Sequence, residues 1–192
     1  SADIQKKHKE DYQKIVQDIL DKNAYGDKAL KLDCRSHLLW GVYKIQKKIK
    51  RFEIFKPGTT LKNWYSRQTD KPDILFNASL YTSTSKPCGT IWDNGVLVSN
   101  EGKGFGFGTT DGKNILFGQP WDKQWRDYLT GYYGLVQDGK AIDPPWKDSY
   151  VFDQALNRIA FGWTKDNCPA IICENGKTIT QFAKNAVTQG FQ

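Results

Sequence analysis

The stretch Asn157-Arg158-Ile159-Ala160-Phe161-Gly162-Trp163 decides the fold class, together with the run Cys168-Pro169-Ala170-Ile171-Ile172-Cys173 that follows it. Both are short runs that are mainly apolar. An Asn175-Gly176 pair stands just after the second run, and Asn-Gly is a strong signal for a hairpin turn. We therefore predict strands over residues 158–163 and 169–173.

Similar turn signals occur upstream, at Asn94-Gly95, Asp111-Gly112 and Asp138-Gly139. Each lies between short apolar runs, which is the pattern of β-hairpins. Further strands are predicted near residues 73–77, 89–92, 95–99, 105–109, 114–117 and 132–136. Repeated hairpins in one chain indicate a large, mostly antiparallel sheet system.

The clearest helix lies at the end of the sequence. Apolar residues recur at helical spacing over 178–189, with Thr178 as N-cap and Gly190 as terminator. Three other helical segments are expected: an amphipathic helix over 3–21, a short helix after Thr59 or Thr60, and a helical turn within 121–129.

Residues 37–55 fit two patterns, because their apolar residues suit a helix or two strands broken near Gln46-Lys47-Lys48. Their β-branched and aromatic residues favour strands. The predicted fold is α+β: a mostly antiparallel or mixed sheet with a few packed helices and an N-terminal amphipathic helix. We expect residues 1–36 to be a helical extension and residues 37–192 to be the main domain.

The composition is that of a folded and basic protein. Of the 192 residues, 39% are hydrophobic and 14% are aromatic, which excludes an intrinsically disordered chain. No run of about 18 apolar residues occurs, so no membrane span is predicted. The net charge of +7 suits a polyanionic partner, and it equally suits a solvated surface.

Lys103-Gly104-Phe105-Gly106-Phe107-Gly108 imitates the aromatic strand of RNA-recognition domains. Gly108 and Thr110 stand where that motif has Val and an aromatic residue. Residues 82–102 also lack the amphipathic helix that must separate the two strands of the motif. RNA binding is therefore kept only as a less favoured alternative, and nucleic acid is not the expected partner.

Four segments occur in an order that resembles the phosphodiester glycosidase family: residues 72–81, 86–95, 157–163 and 178–192. The resemblance covers roughly residues 39–192. That family removes a sugar from a sugar-1-phosphodiester, so the resemblance implies hydrolysis of a glycosyl-phosphate bond. A matching chain continues past Gln192 into a short strand and an Asp-Gly-Gly-Gly-Ser turn. We expect this sequence to be a piece of a longer protein, or to receive that strand from another chain.

The resemblance also implies site residues. Arg158 is the first residue of the family's R-x-A-x-G strand, and the several N–H donors of its planar guanidinium group suit phosphate. Asn77 matches the Asn of the family's Asn-Gly-Gly turn. Arg158 and Asn77 are therefore the predicted catalytic residues, and the predicted substrate-binding residues are Ser79, Tyr81, Pro87, Gly89 and Tyr133.

Other catalytic chemistry finds little support in the sequence. Asp93, Asp111 and Asp138 are interpreted as turn residues, and Glu174 as flanking a turn. His8 and His37 lie outside the motif region, so no Ser-His-Asp arrangement is predicted. The four cysteines, Cys34, Cys88, Cys168 and Cys173, have no metal-type spacing. No cofactor is indicated.

The favoured function is hydrolysis of a sugar-1-phosphodiester, in a bacterial or phage cell-envelope glycopolymer. An extracellular, envelope or phage-particle location is expected with it. One alternative is an inactive module of the same fold that binds an anionic glycopolymer. Another is a structural piece of a larger particle.

Overall fold

The computed structural model describes residues 2–4, 7, 30–32, 41–46, 48–54, 61–76, 78, 86–102, 105–118 and 123–192. Within these residues the architecture is α+β and dominated by strands, as predicted. The chain divides into two compact units. Unit 1 is Ser1–Lys47, Thr59–Asn77 and Leu135–Gln192, and unit 2 is Lys48–Gly58 and Ala78–Gly134. The expected boundary near residue 36 stays a prediction.

The described strands, in chain order, are β1 (Leu30–Leu32), β2 (Gly41–Lys44), β3 (Ile74–Phe76), β4 (Thr90–Asp93), β5 (Val96–Asn100), β6 (Gly106–Thr109), β7 (Leu116–Gly118), β8 (Asp127–Thr130), β9 (Val136–Gln137), β10 (Lys140–Ala141), β11 (Leu156–Trp163) and β12 (Pro169–Lys177). The helices are α1 (Leu61–Ser66), α2 (Ser149–Asp153) and α3 (Ile179–Thr188). Residues 2–4 and 7 are also helical. Strands β4 to β8 belong to unit 2 and the others to unit 1.

The main sheet of unit 1 has the strand order β11-β12-β2, with both pairings antiparallel. Successive side chains of a strand point to opposite faces of the sheet. On one face, Ala170 and Ile172 of β12 pack with Phe182 and Ala186 of α3 and with Phe191. The other face carries a second buried cluster, formed by Tyr43, Ile171 and Cys173. Burial on both sides explains why this part of β12 is apolar without a break.

Helix α3 begins and ends where its sequence signals predict. Thr178 accepts a hydrogen bond from the main-chain N–H of Gln181, and the Gln181 side chain accepts one from the N–H of Thr178. This reciprocal pair is a capping box, which satisfies N–H groups that have no partner within the helix. Gly190 follows with a φ of +90°, a left-handed conformation that favours glycine and ends the helix.

Unit 2 is built on a five-stranded antiparallel sheet with the order β5-β4-β8-β6-β7. Gly106 and Gly108 leave one face of β6 bare, and the ring of Tyr128 in β8 packs there. A Cβ atom at either glycine would collide with Tyr128. The alternating glycines therefore allow the ring to pack closely on this face.

Several predicted elements differ from the structure. Residues 127–129, expected within a helical turn over 121–129, belong instead to the central strand β8, whose four residues are all buried. Of the strand expected over 132–136, only Val136 enters a strand, β9. Residues 52–54 form no strand. Most of the helix expected over 3–21 lies outside the described residues, as do Thr59 and Thr60.

Candidate functional site

Arg158 lies in β11 and is only 8% exposed. Its Nε donates to the carbonyl of Lys177 at 2.9 Å. Its Nη2 donates to the carbonyls of Val151 and Gln154, at 2.5 and 2.9 Å. Val151 lies in α2 and Gln154 is its C-cap, where carbonyls have no partner within the helix and carry partial negative charge. Arg158 thus joins the end of α2 to the end of β12.

The small residues of the R-x-A-x-G motif have a packing role. Ala160 and Gly162 lie on the same face of β11 as Arg158, since side chains alternate along a strand. Ala160 packs against the cluster that includes α3. A Cβ atom at Gly162 would stand 3.2 Å from the ring of Phe191, closer than side chains normally approach. The motif therefore has a structural explanation, and phosphate binding by Arg158 stays a prediction.

Glu174 lies directly opposite Arg158 in the antiparallel register of β11 and β12. Its Oε2 accepts a hydrogen bond of 3.0 Å from Nδ2 of Asn185 in α3. Its Oε1 is buried and has no hydrogen-bond partner among the described residues, an arrangement that normally costs free energy. Glu174 was interpreted as flanking a turn, and its buried carboxylate oxygen was not expected.

The other predicted site residues are distributed between described and undescribed parts of the chain. Pro87, Gly89 and Tyr133 belong to unit 2, whereas Arg158 belongs to unit 1. The carbonyl of Gly89 accepts a hydrogen bond of 2.8 Å from Oγ of Ser99. Tyr133 is 8% exposed and meets the ring of Tyr132 edge to face, with the ring centroids 5.0 Å apart. Three predicted residues lie outside the described residues: Asn77, Ser79 and Tyr81.

Unit 2 brings together two carboxyl groups that the sequence did not single out. The register of β4 and β8 pairs Ile91 with Leu129 and Trp92 with Tyr128. Continued by one position, this register would set Asp93 opposite Asp127, and the charge of Asp93 does raise the pKa of Asp127. Directly opposite residues of antiparallel strands have their side chains on the same face of the sheet.

Asp127 is only 3% exposed. Its carboxylate accepts hydrogen bonds from the main-chain N–H groups of Asn94, at 3.4 Å, and of Ile54. The Nε of Arg126 stands 3.6 Å from its Oδ2. Asp93 is half-buried at the end of β4. One carboxyl group of the pair is thus deeply buried, and the other is partly open to solvent.

Both carboxyl groups hold their protons to higher pH than an ordinary aspartate. Burial raises the pKa of Asp127, and the charge of Asp93 raises it further, against the opposing effect of the two N–H donors and Arg126. Burial likewise raises the pKa of Asp93, with a contribution from the charge of Glu53. Carboxyl pairs whose protons are retained in this way are typical of acid catalysis.

The sequence missed the pair for identifiable reasons. Asp93 precedes Asn94-Gly95 and was interpreted as a turn residue. Asp127 was placed in a helical turn, so its position opposite Asp93 was not foreseen. A central strand buried on both faces gives little alternation in sequence by which to recognise it.

Other chemistries find little support in the part of the chain that the structure describes. No three His, Cys, Asp or Glu residues there are placed to hold a metal ion. Burial raises the pKa of the Cys168 thiol, which disfavours the nucleophilic thiolate. Phe107 is 7% exposed and packs against Phe52 and Phe117, so it cannot stack on a base beside Phe105. No described helix has the length and hydropathy to span a bilayer.

Comparison with solved structures gives a weak likeness. No protein-family model and no curated protein matches this chain. A solved structure, the catalytic domain of zebrafish N-acetylglucosamine-1-phosphodiester alpha-N-acetylglucosaminidase auto-inhibited by its pro-peptide, matches with a TM-score of 0.48 and 18% identity. The match covers 60% of this chain and 47% of that one, so the chain spans about half the length of its neighbour. The likeness is weak and concerns the fold alone.

Proposed function

We propose that this chain hydrolyses the sugar–phosphate bond of a glycosyl phosphodiester, with Asp93 as the acid–base residue. The observation that carries the proposal is the facing pair of Asp93 and Asp127, each with a raised pKa. Cleavage at an anomeric carbon generally uses carboxyl groups, one of which has to remain protonated near the working pH. The four ordered sequence segments that resemble phosphodiester glycosidases supply the substrate class.

The two carboxyl groups have different roles in this proposal. Asp93 is partly exposed, so it can reach a substrate and exchange a proton with the leaving oxygen or with the attacking water. Asp127 is buried and does not touch the substrate. It accepts a hydrogen bond from the N–H of Asn94, the residue after Asp93, and so fixes the end of β4. Asp127 is therefore proposed as a positioning residue.

Each remaining predicted residue keeps its proposed role within its own unit. Arg158 and Asn77 are proposed to contact the phosphate and the anomeric region. The residues proposed to line the sugar site are Ser79, Tyr81, Pro87, Gly89 and Tyr133. The proposed substrate is an anionic glycopolymer of a bacterial or phage envelope, which suits the net charge of +7.

The test measures sugar released from a panel of nucleoside-diphosphate sugars and alkyl glycosyl phosphates. We expect release by the wild-type chain and a loss of about a hundredfold or more in Asp93→Asn, as removal of a general acid predicts. Asp138→Asn is the matched control, because Asp138 occupies a turn in unit 1 with a φ of +53° that Asn also tolerates. Absence of release from every probe, or full activity in Asp93→Asn, contradicts the proposal.

A second function is favoured by one specific observation. Two nitrogens of the Arg158 guanidinium already donate to main-chain carbonyls, which fits a module of the same fold that binds a glycopolymer without cleaving it. That module would bind a wall teichoic acid with an affinity that falls as salt is added. Binding that survives Asp93→Asn, with no sugar released by either protein, would favour this function.

A further inference from the structure

Three strands of unit 2 meet at one end of its sheet, beside the proposed acid–base residue. Strand β4 ends there at Asp93, β6 ends there at Thr109, and the antiparallel strand β8 begins there at Asp127. The N–H of Gly95, in the turn after β4, donates to the carbonyl of Arg126 at 2.7 Å. The N–H of Arg126 donates to the carbonyl of Thr109 at 3.0 Å. The main chain of Arg126 is therefore fixed between the ends of β4 and β6.

The guanidinium group of Arg126 rests on a glycine. A Cβ atom at Gly112 would stand 2.3 Å from Nη1 of Arg126, so a side chain there would displace the group from this position. Gly112 is itself held on both sides, because its N–H donates to Oγ1 of Thr109 at 2.9 Å and its carbonyl accepts from the N–H of Phe52 at 2.7 Å. Its φ of +78° is a conformation that favours glycine. The fold thus gives the guanidinium group a fixed surface to lie on.

The hydrogen-bond donors of this guanidinium group are not used by the fold. Among the residues that the structure describes, the group has no hydrogen-bond acceptor: Oδ2 of Asp127 stands 3.6 Å from Nε, too far for a hydrogen bond. The Arg126 side chain is also 42% exposed. Arg158 differs on both counts, because it is buried and donates to three carbonyls. A planar, exposed guanidinium group with unused donors is suited to bind two oxygens of a phosphate at once.

We propose that Arg126 is a phosphate-binding residue of unit 2, which holds the phosphodiester of the substrate beside Asp93. The identity of this ligand rests on the proposed function. Hydrolysis joins a water oxygen to the anomeric carbon and breaks the bond from that carbon to the phosphate oxygen. That oxygen receives the proton of Asp93, and the attacking water returns a proton to Asp93. The phosphate is negatively charged before and after this step, so Arg126 contributes mainly to binding.

Binding is tested first, on the whole chain and without turnover. Dimethyl phosphate, which has no anomeric carbon, is titrated into the wild type while NMR follows the Nε–H signals of the arginine side chains. We expect the signal of Arg126 to shift and that of Arg67, an exposed residue of unit 1, to stay unchanged. An unchanged Arg126 signal would overturn the proposal, and this measurement needs no variant.

Two variants then measure the contribution of Arg126 to binding. Arg126→Gln should weaken binding of dimethyl phosphate by at least about tenfold, the loss expected for one hydrogen bond to a charged group. Arg126→Lys keeps the charge but not the paired donors, so its affinity should lie between those of the wild type and Arg126→Gln. Arg67→Gln is the matched control and should bind as the wild type does. Equal affinity in all four proteins would show that the phosphate is held elsewhere.

Sugar release separates this inference from the proposed function. With alkyl glycosyl phosphates, Arg126→Gln should raise KM by about tenfold or more and change kcat less, because it removes binding that substrate and transition state share. Release by the wild type with an unchanged KM in Arg126→Gln would refute the role of Arg126 and leave the hydrolase standing. Phosphate binding that depends on Arg126, with no sugar released from any probe, would refute the hydrolase and leave the phosphate site standing.

Discussion

Arg158 is held by main-chain carbonyls from two parts of unit 1, the end of α2 and the end of β12. Its planar guanidinium group donates hydrogen bonds in several directions at once. A lysine ammonium on a flexible side chain reproduces this arrangement poorly. The buried carbonyls that a lysine fails to reach would lose their donors. The identity of this residue is therefore explained by the fold, whatever further role it has in binding.

We expect Arg158→Lys to lower the free energy of unfolding by about 1–3 kcal/mol, the cost of leaving buried acceptors unsatisfied. Urea unfolding of the two proteins measures the difference. Arg67→Lys is the matched control, because Arg67 is exposed in unit 1 and its replacement should change stability by less than about 0.5 kcal/mol. If Arg158→Lys is as stable as the control, the joining role of Arg158 is wrong.

At the scale of elements, the contact between β6 and β8 depends on the lack of a side chain at Gly106 and Gly108 of β6. A Cβ atom at Gly108 would stand 2.7 Å from Cδ2 of Tyr128 and would also collide with the main chain of β8. Both strands lie inside the five-stranded sheet and have a neighbour on each side. Neither strand is free to move away, so an added methyl group has to be accommodated by strain.

Gly108→Ala should therefore destabilise the protein by about 1–3 kcal/mol, as overpacking of a core does. Gly131→Ala provides the comparison within the same unit, because the nearest atoms to a Cβ there are 3.6 Å away, an ordinary contact. Its stability should change by less than about 1 kcal/mol. Thermal unfolding of both variants is the measurement, and equal midpoints would contradict the packing argument.

The elements differ in how far their sequences predict them. Helix α3 has its cap, its apolar stripe and its terminating glycine within one short segment, so its sequence was sufficient. Strands β11 and β12 were also predicted from their apolar runs, although Asn175-Gly176, the turn signal expected after the second run, lies inside β12. Strand β8 was missed, since Asp127 and Thr130 are polar residues that only their neighbours in the sheet make buried.

The candidate site was less predictable than the fold for the same reason. Arg158 was selected through its motif and its role in a site stays a prediction, while its carbonyl partners come from the ends of other elements and cannot be read from local sequence. The pair of Asp93 and Asp127 depends on the register between β4 and β8, which places residues 34 positions apart opposite each other. Local patterns do not determine such a register.

At the scale of the whole molecule, two groups of aspartates make the free energy of unfolding change with pH in opposite directions. Asp93 and Asp127 have a raised pKa in the folded state. Their contribution to stability is fully present below the unfolded pKa of about 3.8 and is lost as the pH rises through the folded pKa. Main-chain N–H groups of Asn114 and Lys113 hold the pKa of Asp111 well below its usual range. The contribution of Asp111 is therefore present above the unfolded pKa and is lost as the pH falls towards the folded value.

These trends predict a stability maximum on the acid side of neutrality, near the ordinary aspartate pKa of about 4. Stability should fall from there towards neutral pH, because Asp93 and Asp127 ionise while buried. It should also fall below that pH, because Asp111 is protonated and the growing positive charge of a basic chain repels itself. Urea unfolding at a series of pH values measures the profile. Asp127→Asn should flatten the stability profile on its neutral side, and Asp111→Asn should flatten it on its acid side. A wild-type stability maximum at neutral pH would show that these aspartates do not govern stability.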